Sequence, residues 1–224
     1  MTMISLDGHT LTAAEVMRVA TGKAKVCVST DAIPRIEAAR SVVERILSDG
    51  ETVYGINTGF GALVHQRISS EDLAQLQTNL VRSHATAIGE LMSKESVRAM
   101  MTVRINSLSK GNSGVHPEVL QQLVDFLNYD IIPAIPRIGS LGASGDLAPL
   151  SHMALSLIGE GDVLSSESGT EPTHIQMKKH GLIPLELRAK DGLSLINGTS
   201  QMCSFLVLAE QRIADLLVYA DLAL

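Results

Sequence analysis

Gly139-Ser140-Leu141-Gly142-Ala143-Ser144-Gly145-Asp146 is the stretch from which this chain is best read. Three small residues, Ala143, Ser144 and Gly145, stand in a row between further glycines, where backbone conformations closed to other residues are open. In a tight enough turn the amide nitrogen of Gly145 meets the carbonyl carbon of Ala143. Attack there, loss of that oxygen as water and dehydration of Ser144 give a five-membered ring with an exocyclic methylidene, 4-methylideneimidazole-5-one. The residue types suit each step: Gly145 is the least hindered amide, Ser144 has a hydroxyl to eliminate, and Ala143 adds no bulk. The same letters also read as an ordinary turn after prolines, with Asp146 as a helix N-cap.

Outward from this centre the signals are mostly helical. A proline-punctuated segment, Ile132-Pro133-Ala134-Ile135-Pro136, precedes it, and the apolar run Leu147 to Ile158 follows as a helix. Ile4-Ser5-Leu6 and Lys25-Val26-Cys27-Val28 read as short strands. A first helix is expected from a cap at Thr10 through Arg18. A second starts at Ser29, Thr30 or Asp31, keeps Ile36, Ala39, Val42, Val43 and Ile46 at helical spacing, and stops at Asp49-Gly50. A third runs from Ser69 or Ser70 to Ile88, with Glu71 and Asp72 in a first turn whose dipole suits them. Glu95 to Leu108 and Pro117 to about Leu127, the latter with proline in its first turn, read as two more. Residues 162–190 are mixed and polar, and read as short strands and loops. Thr199 to Leu224 is a long, mostly apolar helical pattern interrupted by Glu210-Gln211-Arg212 and Asp215. It ends without a cap, and an apolar helix needs cover, so a continuation of the chain or other chains are expected to provide it.

Composition narrows the partners. The 224 residues allow one large domain or two small ones, and with 45% apolar residues but three Tyr, three Phe and no Trp the core should be aliphatic and Met-rich. A net charge of −6 argues against nucleic acid or an anionic membrane as the main partner. Cys27 and Cys203 show no metal-ligand spacing, which points to a reduced interior. The N-terminus lacks the plan of a signal peptide, and no apolar run reaches the roughly 20 residues of a membrane span. A soluble, cytoplasmic protein is expected.

Three further stretches carry candidate chemistry. Thr52-Val53-Tyr54-Gly55-Ile56-Asn57-Thr58-Gly59-Phe60-Gly61 is glycine-dense, yet it is no dinucleotide fingerprint, because Val64 stands where the third glycine belongs. By itself it reads as a mobile loop with a packed tyrosine. Asn79-Leu80-Val81-Arg82-Ser83-His84-Ala85 places His84 late on a helix, where a lone histidine is usually structural. Leu195-Ile196-Asn197-Gly198-Thr199 reads as a turn capping the last helix. A nucleophile elbow would need glycine at Asp146, no P-loop lysine occurs, and the seven histidines show no helical zinc pattern.

Residues 139–152, Gly-Ser-Leu-Gly-Ala-Ser-Gly-Asp-Leu-Ala-Pro-Leu-Ser-His, resemble the signature of the aromatic amino acid ammonia-lyases. The other three stretches fit the same family, and the likeness covers essentially the whole chain. It implies that Ala143, Ser144 and Gly145 form 4-methylideneimidazole-5-one (MIO) as the cofactor, with no metal. It implies Tyr54 as catalytic base, His84 facing the ring of the substrate, and Asn197 positioning substrate or cofactor. His84 can give or accept a hydrogen bond, which suits an imidazole or phenol better than a phenyl ring, and Ser83-His84 looks most like the histidine-specific branch. The reaction implied is elimination of ammonia from L-histidine to give trans-urocanate. A phenol ionises at about pH 10, so a phenol base needs its anion stabilised, for which helix N-termini are a means.

The fold implied is mainly α: a helical head with short β-strands over residues 1–196, then the first long helix of a bundle at 197–224. Family members are much longer and tetrameric, and their C-terminal half completes the active site across subunits. The carboxylate-binding arginine of that half is absent here. Alternatives are a tyrosine or phenylalanine ammonia-lyase or aminomutase, or an inactive helical fragment serving as an interaction module.

Overall fold

In the computed structural model, residues 1–59, 68–69, 72–165 and 169–223 are described. The chain opens with a parallel strand pair, β1 (Thr2–Leu6) and β2 (Ala24–Val28), with Thr2 opposite Ala24 and Leu6 opposite Val28. Parallel neighbours need a crossover, and α1 (Ala13–Ala20) provides it. Its cap is Thr12 and not Thr10. The Thr12 hydroxyl accepts from the Glu15 N–H (3.3 Å) while the Glu15 carboxylate accepts from the Thr12 N–H (2.9 Å), a reciprocal capping box. Thr10 instead donates its N–H to the Asp7 carboxylate at 2.9 Å. On β2, the side-chain amide of Asn128 donates to the carbonyl of Val26 (2.8 Å) and accepts from its N–H (3.0 Å).

α2 (Ile33–Asp49) begins after a turn over Ser29–Ala32, later than expected, and closes at Gly50 as expected. α3 (Leu73–His84) has Asp72 in the N-cap position. Of the expected start at Ser69 or Ser70, Ser70 lies outside the described residues, as does Glu71, while the Ser69 hydroxyl donates to the Asp72 carboxylate at 2.7 Å just before the helix. Its end at His84, short of Ile88, has a tertiary cause: Ile88 pairs with Ile138, so Ile88–Leu91 becomes β3 against β4 (Pro136–Ile138). α4 (Lys94–Leu108) and α5 (Pro117–Asn128) match their expected positions closely. Met100, Met101 and Ile105 of α4 meet Leu120, Leu123, Phe126 and Leu127 of α5 in the main core. Phe126 is the one aromatic side chain buried there among the described residues.

The proline-punctuated segment is extended backbone. The N–H of Ala134 donates to Asp162 O (2.9 Å), and Leu164 N–H donates to Ile132 O (2.8 Å), which ties it to the hairpin β5 (Asp162–Ser165) and β6 (Gly169–Pro172). Continuing as β4, it delivers the chain into residues 139–146 and then into α6 (Leu147–Leu157). Within 162–190, expected as strands and loops, there is also a helix, α7 (Thr173–Lys179), started by Thr173, whose N–H and hydroxyl both donate to Gly161 O at 3.0 Å.

α8 (Asp191–Ile196) packs against α3 and α6, and α9 (Ser200–Leu222) lies along α4 and α1. Taken through Asn197–Thr199 as one run, 191–222 is long and apolar enough to cross a membrane by length and composition, although 44% of its most apolar window is buried within the protein. The early turns of α9 are buried at Ser200, Gln201, Ser204 and Leu208, and beyond Leu208 its residues are exposed apart from half-buried Gln211.

Candidate active site

The loop between β4 and α6 is folded back on itself. Gly142 and Gly145 have φ of +82° and +87°, a region that favours glycine, and bridges link Gly142 with Gly145 and Ala143 with Gly145. The Ser140 hydroxyl donates to the Asp146 carboxylate at 3.1 Å, which ties the two ends together. A side chain on Gly145 would collide with the carbonyl of Gly198, so this position is glycine for two independent reasons. The backbone thus makes a tight turn through Ala143, Ser144 and Gly145.

Gly198 belongs to the turn between α8 and α9, and its carbonyl accepts the N–H of Asp146 at 2.6 Å. Asp146 is fully buried, and its other carboxylate oxygen accepts the N–H of Met202 in the first turn of α9 (3.0 Å), where the helix dipole favours an anion. Asp146 therefore sits at the N-cap position of α6 as expected, while its side chain serves the loop and α9.

Behind the turn lies Arg104 of α4, 3% exposed. One guanidinium nitrogen donates to the carbonyls of Ser194 and Asn197, the latter at 2.9 Å, at the negative end of α8. Burial pulls its pKa down to about 10, and the charge of Asp146 works the other way. Nothing in the sequence had singled out Arg104. Its signal was position: Val97, Met101, Arg104 and Leu108 follow the spacing of one helix face, and all four are buried.

His84, at the end of α3, shares a cavity of about 230 Å³ with Ala143, Ser144 and Gly145, and Ser83, Thr86 and Leu141 also contribute to its wall. Nδ1 of His84 lies 2.9 Å from Leu80 O, which can only accept, so Nδ1 carries the proton. The Ser83 hydroxyl donates to the same carbonyl at 2.9 Å and stands 3.0 Å from Nδ1. In the neutral ring Nε2 is then the acceptor.

Tyr54 and Asn197 are not among the residues lining this cavity. Tyr54 is 59% exposed at the tip of a turn. Buried Asn57 shapes that turn: its side chain accepts the Val53 N–H (2.9 Å) and donates to Glu51 O (2.6 Å). The rest of the expected loop, Phe60 and Gly61, lies outside the described residues. Asn197 lines a separate cavity of about 420 Å³ with Arg104, Lys110 and Lys190, and the turn that holds it meets the glycine-rich loop through the backbone of Gly198.

Comparison with known proteins bears on what this arrangement is. The family model described as "Aromatic amino acid lyase" matches residues 11–224. A histidine ammonia-lyase of Geobacillus thermodenitrificans is 47% identical over 207 residues, 92% of this chain and 41% of that protein. An MIO-dependent tyrosine 2,3-aminomutase of Streptomyces globisporus is 46% identical over 199 residues, 89% of this chain and 37% of that one. The crystal structure of a tyrosine aminomutase from Streptomyces globisporus superposes with a TM-score of 0.87 at 44% identity, over 92% of this chain and 39% of that one. The chain therefore spans about two-fifths of the length of these relatives, and it belongs to the aromatic amino acid lyase family.

Proposed function

We propose that this chain is the N-terminal part of a cytoplasmic histidine ammonia-lyase, converting L-histidine to trans-urocanate and ammonia. Residues 1–196 form its head and 197–224 begin its helical bundle. The observation that carries the reading is that His84 and the Ala143–Ser144–Gly145 turn wall the same cavity. The folded-back loop suits MIO made from that tripeptide, and once formed the group supplies an electrophilic carbon for the substrate amine.

The other residues hold the substrate and move its proton. His84 Nε2 accepts from the N–H of the imidazole ring. Tyr54 removes the β-proton as the Cα–N bond breaks and the Cα=Cβ bond forms. Because Tyr54 is exposed on its own turn, we assign it to the site of a second copy in a homotetramer. Asn197 positions substrate or cofactor from the α8–α9 turn.

A phenol O–H would also donate to His84 Nε2, and a tyrosine aminomutase is as similar as the histidine lyase, so action on tyrosine is the second reading. The test is to offer the full-length protein L-histidine, L-tyrosine and L-phenylalanine separately and identify the products. Urocanate should form with a kcat/KM at least about 10²-fold above any product from phenylalanine, which leaves the acceptor unpaired. Product from tyrosine with none from histidine overturns the substrate assignment.

A further inference from the structure

We propose that Arg104 and Gly198 form a backstop against which the Ala143–Ser144–Gly145 turn is held, and that closure of the ring depends on both. The inference rests on the reading that this tripeptide cyclises. In that closure a bond forms between Gly145 N and Ala143 C. The Ala143 oxygen leaves as water with the protons of the Gly145 and Ser144 amides, and the Ser144 hydroxyl leaves as a second water with its Cα proton. No outside reagent enters, so the chemistry asks the protein chiefly for geometry: two backbone atoms must be kept at reacting distance while they exchange partners.

The structure shows what does the holding. Gly198 O takes the Asp146 N–H at 2.6 Å and lies against the Cα of Gly145, where a side chain would overlap it. This carbonyl is thus wedged behind the nitrogen that has to attack. Gly198 is itself blocked from receding, because the space beside its Cα is taken by the guanidinium of Arg104, into which a Cβ at Gly198 would run. The guanidinium is fixed in turn by the carbonyls of Ser194 and Asn197, and its stem rises from α4, the helix at the centre of the core. Core helix, guanidinium, Gly198 and Gly145 are thus stacked, with the guanidinium restrained by its bonds to the two carbonyls. A lysine at 104 would keep the charge but has a single nitrogen, whereas the guanidinium gives Nη2 to the two carbonyls and sets Nη1 beside Gly198.

The test reads mass and not turnover. The full-length protein and its Arg104→Lys, Arg104→Met and Gly198→Ala variants are purified as soluble, folded protein, denatured and weighed intact. A fourth variant, Arg98→Met, removes another buried arginine of α4, one that bonds Val19 O, Leu127 O and Asp130, and none of the loop residues. The unsubstituted protein and Arg98→Met should both lack two waters. The uncyclised fraction should rise at least tenfold in Gly198→Ala and Arg104→Met, with Arg104→Lys between. Folded Gly198→Ala and Arg104→Lys cyclised as fully as the parent overturn the proposal, even if Arg104→Met gives no soluble protein. An Arg98→Met variant uncyclised to the same degree also overturns it, since the effect would then be one of general stability. If the parent itself keeps both waters, it is the reading of the tripeptide that fails.

Discussion

Ser144 and Tyr54 carry different halves of the proposed chemistry, so their losses have separable signatures. Ser144→Ala removes the hydroxyl that must leave: its intact mass should never show the second dehydration, and turnover should be almost abolished. Tyr54→Phe should leave the mass change intact and lower kcat by about 10²–10⁴-fold, the usual contribution of a positioned base. Near-normal turnover in either variant contradicts the roles assigned. The tripeptide proposed to cyclise stood out in the sequence because the proposed chemistry demands those residue types in that order. Arg104 was not, since a single arginine on a helix reads as solvated unless its place on the Val97–Met101–Leu108 face is noticed. Asn57, which holds the turn beneath Tyr54, was hidden for a different reason: its bonds are to backbone groups of the same loop, and those follow from the folded turn.

Ends marked by a proline or a glycine were placed well, ends fixed by a neighbour were not, and α1 was expected to be capped at Thr10 although its Thr12–Glu15 box is local. α5 has its proline and α2 its terminal glycine, whereas α3 stops because β4 claims Ile88. α7 starts at a contact from Thr173 to Gly161 O that no local pattern announces. The capping box of α1 is local and can be tested: Thr12→Ala should cost about 1 kcal/mol of stability in urea unfolding, and an unchanged midpoint would contradict the box. His152 of α6 gives a pH dependence. Its Nε2 accepts the N–H of Ala87 (3.2 Å), and burial holds its pKa below the ordinary value. The unfolded chain takes up this proton near pH 6.5 and the folded one only at lower pH, so between those values the unfolded state binds more protons. The stabilising effect is complete above about pH 6.5 and is lost as pH falls towards the folded pKa. His152→Gln should therefore flatten the decline of stability with acid in that window, as read by urea unfolding at a series of pH values. An unaltered slope would show that His152 does not titrate as inferred.

At the scale of the molecule, the mainly helical class and the aliphatic core were readable from spacing and composition. The joining of the α8–α9 turn to the glycine-rich loop was not, because it depends on contacts between residues some fifty positions apart in sequence, such as Asp146 with Gly198 and Met202. α9 leaves Leu206, Ile213, Leu216, Leu217, Val218, Tyr219 and Leu222 exposed, more contiguous apolar surface than an isolated soluble chain usually shows. The 224-residue chain produced by itself should self-associate in sedimentation velocity, and the double variant Leu216→Glu, Leu217→Glu should shift it towards monomer. A monomer at every concentration would contradict a role for this face in assembly.

The amide of Asn128 has a consequence for the opposite side of the fold. Because it occupies both backbone groups of Val26, those groups are unavailable to an incoming extended chain, and the outer rim of β2 is stopped at its midpoint by a one-residue imitation of a third strand. Exposed strand rims are templates for unwanted pairing between molecules. A single side chain thus limits sheet growth at this rim.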